Sequence, residues 1–408
     1  MLQRAHTLAA LVLAEAVSST GTAMTFVALP WFVLSTTGSA PKMSVVLAVE
    51  IAPVAIFGIP SGSVVARLGA RTTMLVSDAL RAPLIALIPL LYWTGHLAYG
   101  LLLALVFLIG LFSAPYIASQ RSIIPELFGD DEVTVSKASA LFGTATQLPI
   151  VIGPALAGAL VAWIGAPGVL LIDGATYLFA FAVVLVAVRA GRRVPQEGES
   201  AGVLAGLRYL TRDRLLGPLT LTVVVLDCAA GAIAVAVPLV AYTRYGQSAH
   251  VAGWLFTSFG VGAIVGSVLA MKVLDRVPPL RLACIALVFA TLPLWAIAAP
   301  ISWPAACAAV VFCGVFVAMV NAPMMGLITT RPPFALRAKV LTSVMTASAL
   351  GGPFGRLAVG PVYRLWGNAG VWIMIAGGLS VGTVLFVVAA IRGSRGEPEP
   401  SGAVAPTV

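Results

Sequence analysis

Gly62-Ser-Val-Val-Ala-Arg67-Leu-Gly69-Ala-Arg71 is a short basic turn set between two long apolar runs. A membrane span needs about 20 mostly apolar residues, and both flanking runs reach that length. The turn therefore belongs at a membrane surface. The chain later repeats it: Gly266-Ser-Val-Leu-Ala270 echoes Gly62-Ser-Val-Val-Ala66 at an offset of 204 (266 − 62 = 204). Gly110 with Gly314 and Pro149 with Pro353 share that offset, half of the 408 residues. One offset at three separated places predicts a duplicated six-helix unit.

Composition agrees. Hydrophobic residues make up 60% of the chain and charged residues 10%, against roughly 25% charge in soluble domains. Twelve candidate spans follow, at 8–34, 44–66, 73–93, 97–121, 138–162, 167–189, 215–243, 251–273, 280–300, 303–328, 340–363 and 368–391. The fold class expected is an all-α membrane protein of two pseudo-symmetric six-helix bundles. Its expected divisions are 1–190, a cytoplasmic linker 191–214, 215–392, and a disordered cytoplasmic tail 393–408. The net charge of +9 is topological. With the N-terminus inside, nineteen of the 24 Lys and Arg fall on the inner side and three outside (Lys42, Arg244, Arg364), while Arg81 and Arg356 lie within spans. This positive-inside bias puts both termini in the cytoplasm and gives no reason to expect a nucleic-acid partner. The four cysteines lie in apolar runs without a CxxC pair, so buried thiols are expected and no metal site.

Costly polar groups mark the interior. Glu15, Ser18, Ser19, Thr22 and Thr25 recur at steps of three or four, which places them on one face of span one. That face meets either a cavity or a hydroxyl-rich packing seam. Glu50 stands about two turns into span two, as an outer proton or cation site or as an acid that snorkels to water. Asp78 and Arg81 are one turn apart and read as a structural or gating pair. Asp173 reads as structural. Asp227 sits near mid-membrane in span seven, opposite Ser19 if a local offset of 208 applies (227 − 208 = 19). A buried acid there is either a proton carrier or a permanently neutral hydrogen-bond donor. Asn321, beside Pro323, is a candidate cavity residue. Arg356 lies in the small-residue run Gly351-Gly-Pro353-Phe-Gly355-Arg356, where it needs a carboxylate, backbone carbonyls or an anionic substrate. In the linker, Arg192, Arg193, Pro195 and Glu197 break the apolar pattern, and VLAGLRYL reads as a surface amphipathic helix.

The basic turn resembles the signature of the major facilitator superfamily between spans two and three, roughly G-x-x-x-D-R-x-G-R-R. Gly62, Arg67, Gly69 and Arg71 match, while Ala66 replaces the acid. ALPWFVLSTTGS (28–39), SDALRA (77–82) and LIDGATYLF (171–179) are similar to the bacterial drug-exporter branch that includes macrolide and siderophore exporters. Pro149, Gly153, Pro154 and Gly158 partly resemble the antiporter signature G-P-x-x-G-G, with Ala157 in place of one glycine. The resemblance implies that the turn is a gate latch and that the chain exports cargo against protons from a bacterial plasma membrane.

The expectation is thus a secondary transporter for an amphipathic small molecule, working by alternating access as a monomer. Glu15, Asp227 and Glu50 would serve the protons; Ser18, Ser19, Thr22, Asn321 and Arg356 would line the cavity. The proton gradient replaces any cofactor. A facilitator, an importer or a lipid translocator on the same scaffold remains open. No GxxxxGK[ST] loop or HExxH motif occurs, which argues against an ATP-driven pump or an enzyme.

Overall fold

A computed structural model describes residues 2–129, 132–188, 199–333 and 336–394. The acidic pair Asp130 and Asp131, the linker residues Arg192, Arg193, Pro195 and Glu197, and the tail from 395 lie outside the described residues. The elements are α1 (Leu2–Thr37), α2 (Ala40–Leu68), α3 (Ala70–Trp93), α4 (Tyr99–Phe128), α5 (Glu132–Ala187), α6 (Glu199–Arg212), α7 (Leu216–Thr243), α8 (Ala249–Leu274), α9 (Pro279–Ala298), α10 (Trp303–Thr330) and α11 (Arg337–Ser394).

Among the described residues, ten helices are long and apolar enough to cross a bilayer. Two of them, α5 and α11, are each a pair of crossings joined without a loop. Gly165 (φ 77°, ψ 161°) breaks α5, and Gly367 (φ 63°, ψ −160°) breaks α11. Only glycine takes this left-handed backbone at no steric cost, so one residue reverses the chain where a loop would otherwise stand. The crossings therefore number twelve, as the hydropathy pattern predicts.

The two halves share a packing plan. Gly153 of α5 faces Ala23 of α1, and Gly355 of α11 faces Cys228 of α7. Ser39 and Ser248 each cap the following helix, α2 and α8, with long bonds of 3.4 Å. Small residues allow such close helix approach, which in lipid replaces the hydrophobic effect as the packing force.

Buried apolar side chains fall into three groups. One contains residues of both halves, from Met24, Val27 and Leu47 to Val235, Leu239 and Val359. A second is confined to residues 210–389 and a third to residues 11–188. The shared group lies at the membrane face remote from the termini, and the separate groups lie toward the termini. The apolar core that joins the halves thus lies at one end, and α6, packed on α11, also touches α2 of the first half.

Helix α6 departs from expectation. Gly206 lies against Lys339 and Ser343 of α11, and Leu210 is buried in the core of the second half. VLAGLRYL therefore packs on protein, because its apolar face finds α11 before it finds lipid.

Candidate transport site and gates

Glu15 is buried within the first half. Its Oε1 accepts from Ser19 (2.7 Å) and from Gln120 Nε2 (2.6 Å), and its Oε2 accepts from the Tyr116 hydroxyl (3.0 Å). Asp78 and Arg81, one turn apart on α3, form an ion pair at 2.5 Å and are both buried. The Arg81 guanidinium lies 4.0 Å from the Tyr116 ring centroid and 4.3 Å from that of Tyr177, a sandwich that offsets part of its lost hydration. The Tyr177 hydroxyl reaches Thr22 at 3.0 Å, and Thr22 also donates to the carbonyl of the buried Ser18 at 3.1 Å.

Asp173 belongs to the same assembly. It is fully buried and accepts from Thr25 (2.5 Å) and Thr176 (3.3 Å). Gly21 faces both Asp173 and Thr176, so any side chain there would displace them. Sequence reasoning set Asp173 aside as structural and did not single out Tyr116, Gln120 or Tyr177. The available signal was the spacing of Asp173 and Tyr177, four residues apart and so on one helical face.

In the second half, Asp227 is half-buried on α7 and accepts a hydrogen bond from Ser348 of α11. The Gly153–Ala23 and Gly355–Cys228 contacts set the register of α1 against α7 at 205 (228 − 23 = 205). On that register Asp227 stands level with Thr22, whereas the offset of 208 read from the prolines sets it level with Ser19. Asn321 is exposed on α10.

Glu50 and Arg356, expected to serve protons and cargo separately, meet each other. Arg356 Nη1 lies 3.6 Å from Glu50 Oε2 and donates to the Leu47 carbonyl at 2.8 Å, which joins α11 to α2 across the halves. Gly360, one turn on, packs against Pro41 and Ser44 of α2. The matching seam joins α5 to α8. There a Cβ on Gly158 would stand 2.9 Å from the Ala249 carbonyl, and Thr257 donates to the Val151 carbonyl at 3.2 Å. Pro154 packs by its carbonyl against Gly253 of α8, while the buried Pro149 does not face that seam in the described contacts. Phe26 with Phe256 (5.0 Å) and Trp31 with Tyr242 (5.4 Å) close the space between the seams.

At the termini end, Gly69 turns α2 into α3 with φ 84°. The Ala70 amide then donates to both carboxylate oxygens of Glu126 on α4 (2.9 and 3.0 Å), an acid set against a helix N-terminus. Arg71 donates to the Val188 (2.5 Å) and Leu185 (2.9 Å) carbonyls at the end of α5. Gly62 is buried and Arg67 is exposed. Sequence reasoning noted the missing acid at Ala66 but not Glu126, which comes from another helix.

Asp213 joins α6 to α7. It accepts from the Leu215 (2.9 Å) and Leu216 (2.8 Å) amides and from Arg331 (3.1 Å). Burial pushes the Asp213 carboxyl up, but the two amides and Arg331 outweigh it and hold it below its ordinary value.

An apolar cleft of about 280 Å³ opens between α2, α3 and α4, lined by Phe57, Val64, Leu68, Val76, Leu111 and Phe112. It lies within the first half, not between the halves. The four cysteines are free thiols. Among the described residues, no group of His, Cys, Asp and Glu is placed to hold a metal.

Comparison with known proteins places this architecture. The chain is 25% identical over 389 residues to the multidrug efflux pump Tap of Mycobacterium tuberculosis, covering 90% of this chain and 89% of that protein. A Tap pump of Mycolicibacterium fortuitum is 23% identical over 277 residues, 65% of this chain and 66% of the other. Among solved structures, a bacterial homolog of the human lysosomal transporter Spinster, inward-facing and unoccupied, superposes with a TM-score of 0.80 at 14% identity, covering 98% and 99% of the two chains. The nucleoside transporter NupG superposes with a TM-score of 0.74 at 13% identity, covering 94% and 98%. At such identities these two show the fold alone, that of the major facilitator transporters. The family model for transmembrane secretion effectors matches residues 3–399, so the chain belongs to the MFS_3 transmembrane secretion effector family, a multi-pass membrane transporter and not an enzyme.

Proposed function

We propose that this transporter exports an amphipathic small molecule from the bacterial cytoplasm in exchange for protons, by alternating access and as a monomer. The observation that carries the reading is the division of the apolar core, shared at one end of the halves and separate at the other. Two rigid bodies joined at one end rock between two states, and cargo bound between them is offered to each side in turn. The positive-inside bias makes the open end cytoplasmic, so that both termini face the cytoplasm. The two bodies are residues 1–190 and 215–392, with 191–214 as the connection and 393–408 as a tail.

Roles follow from placement. Glu15 is the proton-exchanging acid, held where a charge is costly and bonded to groups open to the cavity through Ser19 and Gln120. Ser19, Thr22 and Asp227 face the cargo path, with Ser18 buried behind them and Asn321 at its edge. Gly62, Arg67, Gly69 and Arg71 form the hinge on the cytoplasmic side. Export, rather than uptake, is supported by the likeness to efflux pumps.

The test is ethidium transport by the purified chain in proteoliposomes under imposed pH gradients of either sign. Export coupled to protons drives ethidium against the proton flux and reverses when the gradient is reversed. Ethidium movement that ignores the gradient would point to a facilitator instead.

A further inference from the structure

Four ionisable side chains of the first half lie out of water in one assembly: Glu15 at 1% exposure, Asp78 at 1%, Asp173 at 0% and Arg81 at 3%. Three are acids, and only the guanidinium is a fixed positive charge. A buried charge without compensation costs several kcal/mol. Neutrality inside the assembly therefore requires two protons on its three carboxyl groups. The other titratable groups facing it, Tyr116 from α4 and Tyr177 from α5, add no positive charge.

The hydrogen bonds sort the acids. Asp78 is in direct contact with Arg81 and is the ionised member. Glu15 and Asp173 instead meet Ser19, Tyr116, Thr25 and Thr176, hydroxyls that donate or accept as required, and the Gln120 amide, which can present either end. Such partners accommodate a carboxyl group with or without its proton and without rearrangement. A second observation points to the same exchange: Arg81 Nε and Asp78 Oδ2 are buried with no hydrogen-bond partner. Arg81 thus keeps a donor unused while its plane is fixed between two rings.

We propose that Arg81 is the shared counter-ion of a two-proton site in which Glu15 and Asp173 hold the protons and Asp78 is the standing partner. Arg81 is a positioning residue, held by Tyr116 and Tyr177. When Glu15 releases its proton to water through the partly exposed Ser19 and Gln120, the fixed charge of Arg81, with Nε still unused, stands in the same assembly as the new carboxylate. Asp173, behind Thr25, is the deeper of the two. That these protons drive cargo rests on the export reading; that they are present does not.

Infrared pH-difference spectroscopy on the full chain in lipid nanodiscs tests the assignment. Asp173→Asn should remove one band of a protonated carboxyl group, and Glu15→Gln should remove a second. Asp78→Asn should turn one of the two acid bands into carboxylate absorption, because Arg81 then needs another counter-charge. Arg81→Gln should add an acid band, because Asp78 then takes a proton, and Arg81→Lys should leave the acid bands of the parent chain. The proposal is overturned if Asp173→Asn or Glu15→Gln removes only carboxylate absorption, or if Arg81→Gln and Arg81→Lys give the same acid bands. No cargo is needed, so a chain that shows both bands yet moves no ethidium overturns the export reading and leaves the two-proton site standing.

Discussion

Arg356 on α11 meets Glu50 on α2 at 3.6 Å, and this ion pair sits in one of two seams that otherwise match. In the α5–α8 seam, Pro154 occupies the position of Arg356 when Gly153 and Gly158 are aligned with Gly355 and Gly360 (355 − 153 = 202; 360 − 158 = 202). Both seams use glycine for close approach, but one adds a charge-dependent hold. Exposed pairs are worth about 0–1 kcal/mol and breaking a buried one costs about 3–5 kcal/mol. With side-chain exposures of 11% and 25%, this pair lies between them. Its loss should shift the closed-to-open ratio by roughly tenfold. Glu50→Gln or Arg356→Gln should lengthen the distance between spin labels at Thr36 and Gln247 on the remote face. The reversed pair Glu50→Arg with Arg356→Glu should restore it. Unchanged distances in both single variants would rule out a hold at this point.

Gly158 tests the other seam. Its Cβ position is 2.9 Å from the Ala249 carbonyl and 3.1 Å from the His250 Cα, both backbone atoms that cannot step aside. Overpacking of this sort costs about 1–3 kcal/mol. Gly158→Leu should therefore disfavour the state closed on the remote face and cut ethidium transport roughly tenfold or more, while expression is retained.

Tyr116 separates two roles by chemistry. Tyr116→Phe removes the bond to Glu15 and keeps the ring beside Arg81; Tyr116→Leu removes both. A cation–π contact out of water is worth about 2 kcal/mol. The Leu variant should lose thermal stability by that amount beyond the Phe variant, and equal melting temperatures would deny the ring its part.

Asp213 gives a pH dependence whose sign is fixed. Its carboxyl is held below the ordinary value in the folded chain, so the stability it adds is complete above about pH 3.9, the value of the free side chain. That contribution falls away as pH drops through the lower folded value. Asp213→Ala should cost about 1 kcal/mol at neutral pH. The gap between variant and parent in thermal unfolding should close in strong acid.

Much of the architecture was legible because lipid imposes a simple rule on composition: each apolar run had to be a crossing, and a doubled pattern had to be a doubled bundle. Asp78 with Arg81 was legible for the same reason as any helical neighbour, since three residues of separation puts them on one side. What was hidden is long-range. Nothing local to Arg356 names Glu50, 306 residues earlier (356 − 50 = 306), as its partner. Nothing near Gly69 announces Glu126. Asp173 was set aside as structural because its hydroxyl partner, Thr25, lies on another helix, and a carboxyl among hydroxyls leaves no sign in its own neighbourhood. The amphipathic pattern of α6 was read correctly as two-faced, but a pattern does not say whether its apolar face will meet lipid or α11.

The apolar group that spans both halves has a consequence for how damage would show itself. On the proposed rocking of the halves, Val27, Leu47, Val235 and Val359 belong to a core that is taken apart and rebuilt in every cycle, whereas Met74 and Phe386 belong to cores that stay assembled. Trimming a methyl group from the first set should alter turnover speed more than it alters yield of folded protein. The same trim in the second set should do the reverse, so a mutational survey scored for both abundance and flux would draw the moving boundary within the bundle.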